Sequence, residues 1–308
     1  MKLMLTGGAG MLGSSISRVA LEAGIPTLAP KRDELDLLDT HGIHTYLDKH
    51  KPDRIIHAAA RVGGIGANIN QPQVYLTENI IIDSNLLNAA NKFGINQLLY
   101  IGSSCMYPRN FSHPIQESDI LTGPLEPTNE GYALSKLVGW KTTQLIANSS
   151  NRNWKTVILS NLYGPGDHFE SGRSHLLAAI IEKTENALSS GTEVIEMWGD
   201  GFSRREFTYV NDVAEFLVSS ISSDNTSPQT LNVGSGVDYS VREYYEFVAK
   251  LSGFKGKIIA NLDKPSGMKR KLMDVSLAQK HGWSSQTSIE EGILKTIDWY
   301  RANRGQQN

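Results

Sequence analysis

Lys2-Leu3-Met4-Leu5-Thr6-Gly7-Gly8-Ala9-Gly10-Met11-Leu12-Gly13 decides the fold. Leu3 to Thr6 has the length and apolarity of a short buried strand, and it runs directly into glycines. From Ser14 to Ala23 the apolar residues Ile16, Val19 and Ala20 recur at helical spacing. Strand, glycine turn and helix make the phosphate-binding start of a dinucleotide fold. Glycine lets backbone N–H groups approach a pyrophosphate, and the helix N-terminus favours its negative charge. Gly7, Gly8, Ala9, Gly10, Met11, Leu12 and Gly13 are therefore candidate cofactor contacts. The spacing is Gly-x-x-Gly-x-x-Gly rather than Gly-x-Gly-x-x-Gly, and a plain tight turn gives the same pattern. The position after the first strand favours the ligand. Ile25 to Ala29 reads as the second strand and leads into Pro30-Lys31-Arg32. Cations stand where a carboxylate would hold a ribose 2′-OH, so Lys31 and Arg32 point to a 2′-phosphate and to NADP(H). A solvated basic loop is the plain alternative.

The same alternation continues. Arg54 to Ala60 reads as a third strand, and its tail from Arg61 to Asn68 is too glycine-rich to predict helix. Asn79 to Phe93 reads as a helix and Leu98 to Gly102 as the fourth strand. A helix follows from an Asn129 N-cap through Tyr132 and Lys136 to Ile146. Lys155 to Ser160 is the fifth strand, closing with Asn161-Leu162-Tyr163-Gly164-Pro165. This order predicts an α/β fold with a Rossmann-type, doubly wound parallel sheet over residues 1–165. Beyond residue 165 the rhythm changes. Helices are expected at His175 to Leu188, Asp212 to Ser220, Tyr244 to Leu251 and Ile289 to Tyr300. Strands are expected at Val194 to Trp198, Arg205 to Val210 and Leu231 to Gly234. Residues 166–308 read as a smaller α/β substrate-binding part, with some segments returning to the sheet and a basic loop from Lys264 to Lys271.

A net charge of −2 with 20% charged residues gives no reason to expect nucleic acid or an acidic membrane as partner. The single cysteine, Cys105, excludes an internal disulfide. The start lacks an apolar leader, and no apolar run approaches ~20 residues, so a cytoplasmic protein is expected.

Two stretches carry chemistry: Gly102-Ser103-Ser104-Cys105 at the end of the fourth strand, and Tyr132-Ala133-Leu134-Ser135-Lys136. Tyr132 and Lys136 share one helix face, and a neighbouring ammonium favours a phenolate. Such a helix pair also recurs by chance. Cys105 and His175 offer a thiol and an imidazole with reference pKa values of about 8.5 and about 6.5, which bracket neutral pH. Free cysteine is often a small buried hydrophobe instead. The other seven histidines are expected at the surface or at helix starts.

The glycine turn, Tyr132-x-x-x-Lys136 and Arg205-Glu206-Phe207-Thr208-Tyr209-Val210-Asn211-Asp212 resemble extended short-chain dehydrogenase/reductases acting on nucleotide sugars. Ala58 to Asn68, Gly102 to Cys105, Glu126 to Glu130 and Asn161 to Pro165 resemble more closely the GDP-L-fucose synthases, which are 3,5-epimerase-4-reductases. That likeness runs from residue 2 to about residue 285. It implies a homodimer, NADPH as reductant and GDP-4-keto-6-deoxy-D-mannose as substrate, converted to GDP-L-fucose. It also implies roles. Ser103, Tyr132 and Lys136 match the reductase triad, with Ser103 on the C4 oxygen and Lys136 also on the nicotinamide ribose. Cys105 and His175 match the epimerisation pair. Asn161 is a candidate for ordering the nicotinamide end of the cofactor, and Leu162 and His175 are further candidate cofactor contacts. Lys183, Trp198, Arg205, Ser266 and Lys271 fall where the family contacts GDP-sugar. On residue chemistry alone, Trp198 packs in a core as readily as it stacks on guanine. Arg205 suits a diphosphate or a solvated strand end. Asn161 is also an ordinary turn residue. The family often has an arginine in the glycine turn; here it is Ala9, which leaves the 2′-phosphate to Lys31 and Arg32. Position 183 is Lys where arginine also occurs. Two rivals are an enzyme acting on another GDP-4-keto sugar, such as a GDP-heptose, and a non-catalytic NADP-binding scaffold.

Overall fold

A run of strands apolar on both faces has to be covered on both faces, and parallel strands joined by helices provide that cover. In the computed structural model, residues 1–170, 174–223, 227–263 and 268–304 are described. Strands β1 (Leu3–Thr6), β2 (Thr27–Leu28), β3 (Arg54–His57), β4 (Gln97–Ser103) and β5 (Asn153–Leu159) alternate with helices α1 (Met11–Glu22), α2 (Thr40–His50), α3 (Ile65–Asn70), α4 (Pro72–Lys92) and α5 (Glu130–Ser150). The later elements are β6 (Asn161–Tyr163), α6 (Leu176–Ser190), β7 (Val194–Trp198), β8 (Arg204–Tyr209), α7 (Val210–Ser222), β9 (Thr230–Val233), β10 (Asp238–Ser240), α8 (Val241–Ser252), β11 (Lys257–Asn261), β12 (Arg270–Lys271), α9 (Ser276–Gln279) and α10 (Ile289–Asn303).

The main sheet has the order β2-β1-β3-β4-β5-β9, parallel throughout. Strand β9 and helix α7, which packs on α1, come from beyond residue 165. A second, mixed sheet has the order β10-β8-β12, with β6 also pairing β8, and β7 pairs β11 in a third. The first core lies between the main sheet and its helices. The second is rich in aromatics, including Tyr163, Phe169, Phe207, Tyr209, Tyr244 and Tyr300. Glycine at 292 lets α10 approach that core, because a Cβ there would lie 2.0 Å from the Tyr163 hydroxyl. No described helix is long and apolar enough to cross a membrane.

Three local expectations change. Residues Ile65–Asn70 form a helix despite their glycine content. The Asn68 amide donates to the Gly63 and Gly64 carbonyls at 2.8 and 3.1 Å and so holds the entry to that turn. Helix α4 starts at Pro72, well before Asn79, because proline has the fixed φ of a first helical position and no N–H to satisfy there. Asn129 occupies the N-cap of α5, but its side chain makes no cap bond; it is engaged elsewhere.

Candidate active site

The glycine turn is built for close backbone approach. Gly7 has φ +75, and a Cβ there would lie 2.8 Å from the backbone of Ala58 and Ala59 at the end of β3. A Cβ at Gly13 would lie 2.0 Å from the Gly7 carbonyl oxygen, so α1 sits directly on the turn. The N-cap of α1 is Gly10, which offers no side chain to the first-turn N–H groups. Open donors, a positive helix end and a cradle that side chains would fill together fit a dinucleotide pyrophosphate. Gly8 lies against Ala29, two residues before Lys31. Lys31 and Arg32 are exposed in the loop that follows β2.

Ser103 ends β4 and caps a 3-10 turn over Ser104–Met106, its hydroxyl accepting from the Cys105 N–H at 3.3 Å. The Ser103 hydroxyl acts on the Tyr132 phenol and favours its ionised form. Burial raises the Tyr132 pKa, the charges of Cys105 and Asp83 raise it further, and Ser103 opposes them. The expected lowering by Lys136 is therefore not the dominant effect. Lys136 is buried with its ammonium 4.0 Å from the Asp83 carboxylate and 4.6 Å from the centre of the Tyr100 ring. A carboxylate from α4 has taken the charge that local spacing assigned to the phenol.

Cys105 meets two donors. The Asn129 amide lies 3.0 Å from Sγ and the Lys271 ammonium 3.6 Å. Lys271, expected on GDP-sugar, thus stands beside the thiol. Donors aimed at sulfur are the surroundings that a sulfur anion needs. His175 is the N-cap of α6, and its Nδ1 lies 3.5 Å from the buried Asp167 carboxylate. That Nδ1 is shielded while the side chain is 40% exposed, so the Nε2 edge faces outward. The Asp167 carboxylate beside Nδ1 raises the His175 pKa, and burial opposes it. The Asp167 loop packs on the cofactor turn: a Cβ at Gly166 would meet Ser14 and Met11 at 3.6 and 3.8 Å. Ser103, Cys105, Tyr132, Lys136 and Lys271 are thus brought together, and His175 stands on the glycine-turn side.

Trp198 is 52% exposed at the end of β7, so it is not a core residue. The Lys183 ammonium lies 5.2 Å from the centre of its ring. Arg205 on β8 donates to the Arg204 and Met268 carbonyls at 2.7 and 2.6 Å, with the charge of Glu126 acting on it. The Asn161 amide donates to the Glu206 carbonyl at 2.9 Å and so ties β6 to β8, while Leu162 is half-buried in β6. Ser266 lies outside the described residues.

Residues 3–234 match the NAD dependent epimerase/dehydratase family. The chain belongs to this family. Among its members, GDP-L-colitose synthase of Yersinia pseudotuberculosis is 45% identical, over 97% of this chain and 98% of that protein. GDP-L-fucose synthase of Azorhizobium caulinodans is 42% identical, over 97% of this chain and 96% of its own length. Among solved structures, a GDP-mannoheptose C4 reductase from Campylobacter jejuni with NADP bound superimposes with a TM-score of 0.88 at 27% identity, over 97% of this chain and 98% of that one. Several polar residues around this epimerase/dehydratase site escaped sequence reasoning. Asp83 and Asp167 sit in stretches without a motif. His57 was expected at the surface with the other histidines, yet it is fully buried, because it ends a strand covered on both faces.

Proposed function

We propose that this chain converts GDP-4-keto-6-deoxy-D-mannose to GDP-L-fucose by epimerisation at C3 and C5 followed by reduction at C4. The observation that carries the reading is the meeting of Ser103, Cys105 and Tyr132 at the end of β4 beside a dinucleotide cradle. A C4 ketone acidifies the protons at C3 and C5, so a base removes one to leave an enolate and an acid returns one on the other face. Cys105, facing the Asn129 and Lys271 donors, is the base. His175, whose pKa the Asp167 carboxylate raises, is the acid and acts through its outward Nε2.

NADPH, when bound in the glycine cradle with Lys31 and Arg32 at its 2′-phosphate, supplies hydride to C4. Tyr132 gives its proton to the oxygen that becomes anionic there. A phenol held neutral by burial keeps that proton until an alkoxide forms, and the stronger base then takes it. Ser103 hydrogen-bonds to the same oxygen and stabilises the charge as it develops. Trp198 and Lys183 cover the nucleotide, and Arg205 faces its diphosphate. The enzyme works in the cytoplasm as a homodimer. Leu134, Val138 and Leu145 lie on one exposed face of α5 and Ile81 is exposed on the neighbouring α4, which supports pairing with a second copy.

A second reading is the same chemistry on another GDP-4-keto sugar, favoured by the 45% identity to a GDP-L-colitose synthase and by the likeness to a GDP-mannoheptose C4 reductase. Incubation with GDP-4-keto-6-deoxy-D-mannose and NADPH in D₂O, followed by NMR of the product, tests both. Deuterium at C3 and C5 with a reduced C4 is expected, and Cys105→Ser should abolish the labelling. Reduction without label removes the epimerase claim, and no NADPH oxidation directs attention to the other sugars.

A further inference from the structure

The buried network beneath Lys136 is larger than its chemistry requires. Ala59 N–H donates to Thr6 Oγ1 at 3.3 Å, and Thr6 Oγ1 lies 2.7 Å from His57 Nδ1. His57 Nε2 lies 3.0 Å from Asp83 Oδ1, and the Tyr100 hydroxyl donates to Asp83 Oδ2 at 2.5 Å. Asp83 Oδ2 is the atom 4.0 Å from the Lys136 ammonium. Thr6, His57, Asp83, Tyr100 and Lys136 are all buried, on β1, β3, α4, β4 and α5. With hydrogen on Nε2 of His57, each group has a partner: Thr6 donates to Nδ1, and Nε2 donates to the carboxylate. Glycine at 139 makes the approach of α5 possible, because a Cβ there would lie 2.2 Å from the Tyr100 hydroxyl and 2.6 Å from Asp83 Oδ2.

We propose that Asp83 is a positioning residue for Lys136, a buried counter-charge that holds the ammonium in place and, through His57 and Thr6, ties it to the glycine turn that receives the cofactor. The argument is one of charge and anchorage. Burial disfavours the charged form of Lys136 and lowers its pKa, and the Asp83 carboxylate opposes that. Asp83 is in turn kept ionised: burial pushes its pKa up, but Lys136 and the hydrogen bonds from His57 and Tyr100 outweigh it. The groups facing Lys136 are Asp83 from α4, Tyr100 from β4 and, through Asp83, His57 from β3, with Tyr132 on its own helix. Thr6 is the last residue before Gly7, so the anchor for the lysine and the start of the phosphate cradle are one hydrogen-bonded unit.

This rests on the proposed NADPH-dependent reading, in which Lys136 contacts the nicotinamide ribose. The test is the NADPH dissociation constant of the full chain from pH 6 to pH 10, read by nicotinamide fluorescence, for wild type, Asp83→Asn and Asp83→Glu, with melting curves alongside. In Asp83→Asn the pH at which affinity falls should move down by at least about one unit, and Asp83→Glu should restore it. A folded Asp83→Asn protein with the wild-type pH profile overturns the proposal. If Asp83→Asn does not fold, His57→Gln keeps the carboxylate but changes its anchor. NADPH binding weakened by about threefold or more is then expected, and wild-type affinity overturns the proposal. Wild type that binds NADPH but reduces no GDP-4-keto sugar sinks the functional reading and leaves this test intact. Wild type that binds no NADPH sinks both.

Discussion

Substituting Gly13 by alanine should disable cofactor binding through a single methyl group. The added Cβ would lie 2.0 Å from the Gly7 carbonyl oxygen, 2.7 Å from the Gly7 carbonyl carbon and 2.8 Å from the Gly8 Cα, all backbone atoms of the cradle. Ordinary contact begins at 3.4 Å, so the turn and α1 must separate by about 1.4 Å. No flexible side chain stands in the way to yield instead. Overpacking of this kind costs about 1–3 kcal/mol, and a shift of about 1 Å in a positioned group is enough for a hundredfold effect. Gly13→Ala should therefore melt several degrees lower and bind NADPH about a hundredfold more weakly. A fluorescence titration and a thermal melt decide it. Affinity within threefold of wild type, in a variant that melts in one transition, would refute the claim that α1 must touch the turn.

Tyr132→Phe should reduce the rate of C4 reduction by about 10²- to 10⁴-fold while NADPH affinity is kept, because the ring remains and only the proton donor goes; a stopped-flow NADPH oxidation assay checks it. Trp198→Ala should leave the melting temperature nearly unchanged, since the side chain is half exposed, but raise the KM for GDP-sugar. Base–aromatic stacking of about 1–3 kcal/mol corresponds to roughly 5- to 150-fold. Glu206 is buried, and burial raises its pKa from 4.5 to about 7, against hydrogen bonds from the N–H groups of Gly236 and Met273. The folded chain then holds a proton that the unfolded chain has lost, so stability falls as pH rises from about 4.5 to about 7 and stays reduced above it. Glu206→Gln should remove that slope, worth up to about 3 kcal/mol, as measured by urea unfolding across the window.

The first half of the fold is legible because it is periodic. Strand, glycine turn and helix around Thr6 and Gly7 follow from local pattern, as do β4, β5 and α5. Strand β2 was legible as the longer run Ile25 to Ala29, of which Thr27–Leu28 pairs, whereas β12 has two residues, too few for any period to register in a stretch that reads as a basic loop. The helix at Ile65–Asn70 was hidden because Asn68, by donating to Gly63 and Gly64, offsets a glycine content that argues against helix. In the site, the order Ser103, Tyr132, Lys136 was legible, but the partners were not. Spacing of four pairs Lys136 with Tyr132; only tertiary structure brings Asp83 from another helix. Asn129 was read correctly as a position and incorrectly as a cap, since its amide serves Cys105. Lys271 was expected on the substrate and stands beside the same sulfur, because β12 pairs with β8 and returns the chain to the end of β4.

The main sheet is closed by β9, and β9 is synthesised roughly seventy residues after β5. At translation rates of about 5–20 residues per second, the outer edge of Asn153–Leu159 stays bare for about 4–14 s on the ribosome. An apolar ribbon waiting that long for its neighbour is an invitation to cross-chain pairing. Lys155, which ends up bonded to Ser227 just ahead of β9, puts a charge in the middle of that ribbon during the wait. Any chain cut short before Thr230 would carry the bare edge permanently, and chaperones or proteases rather than refolding would decide its fate.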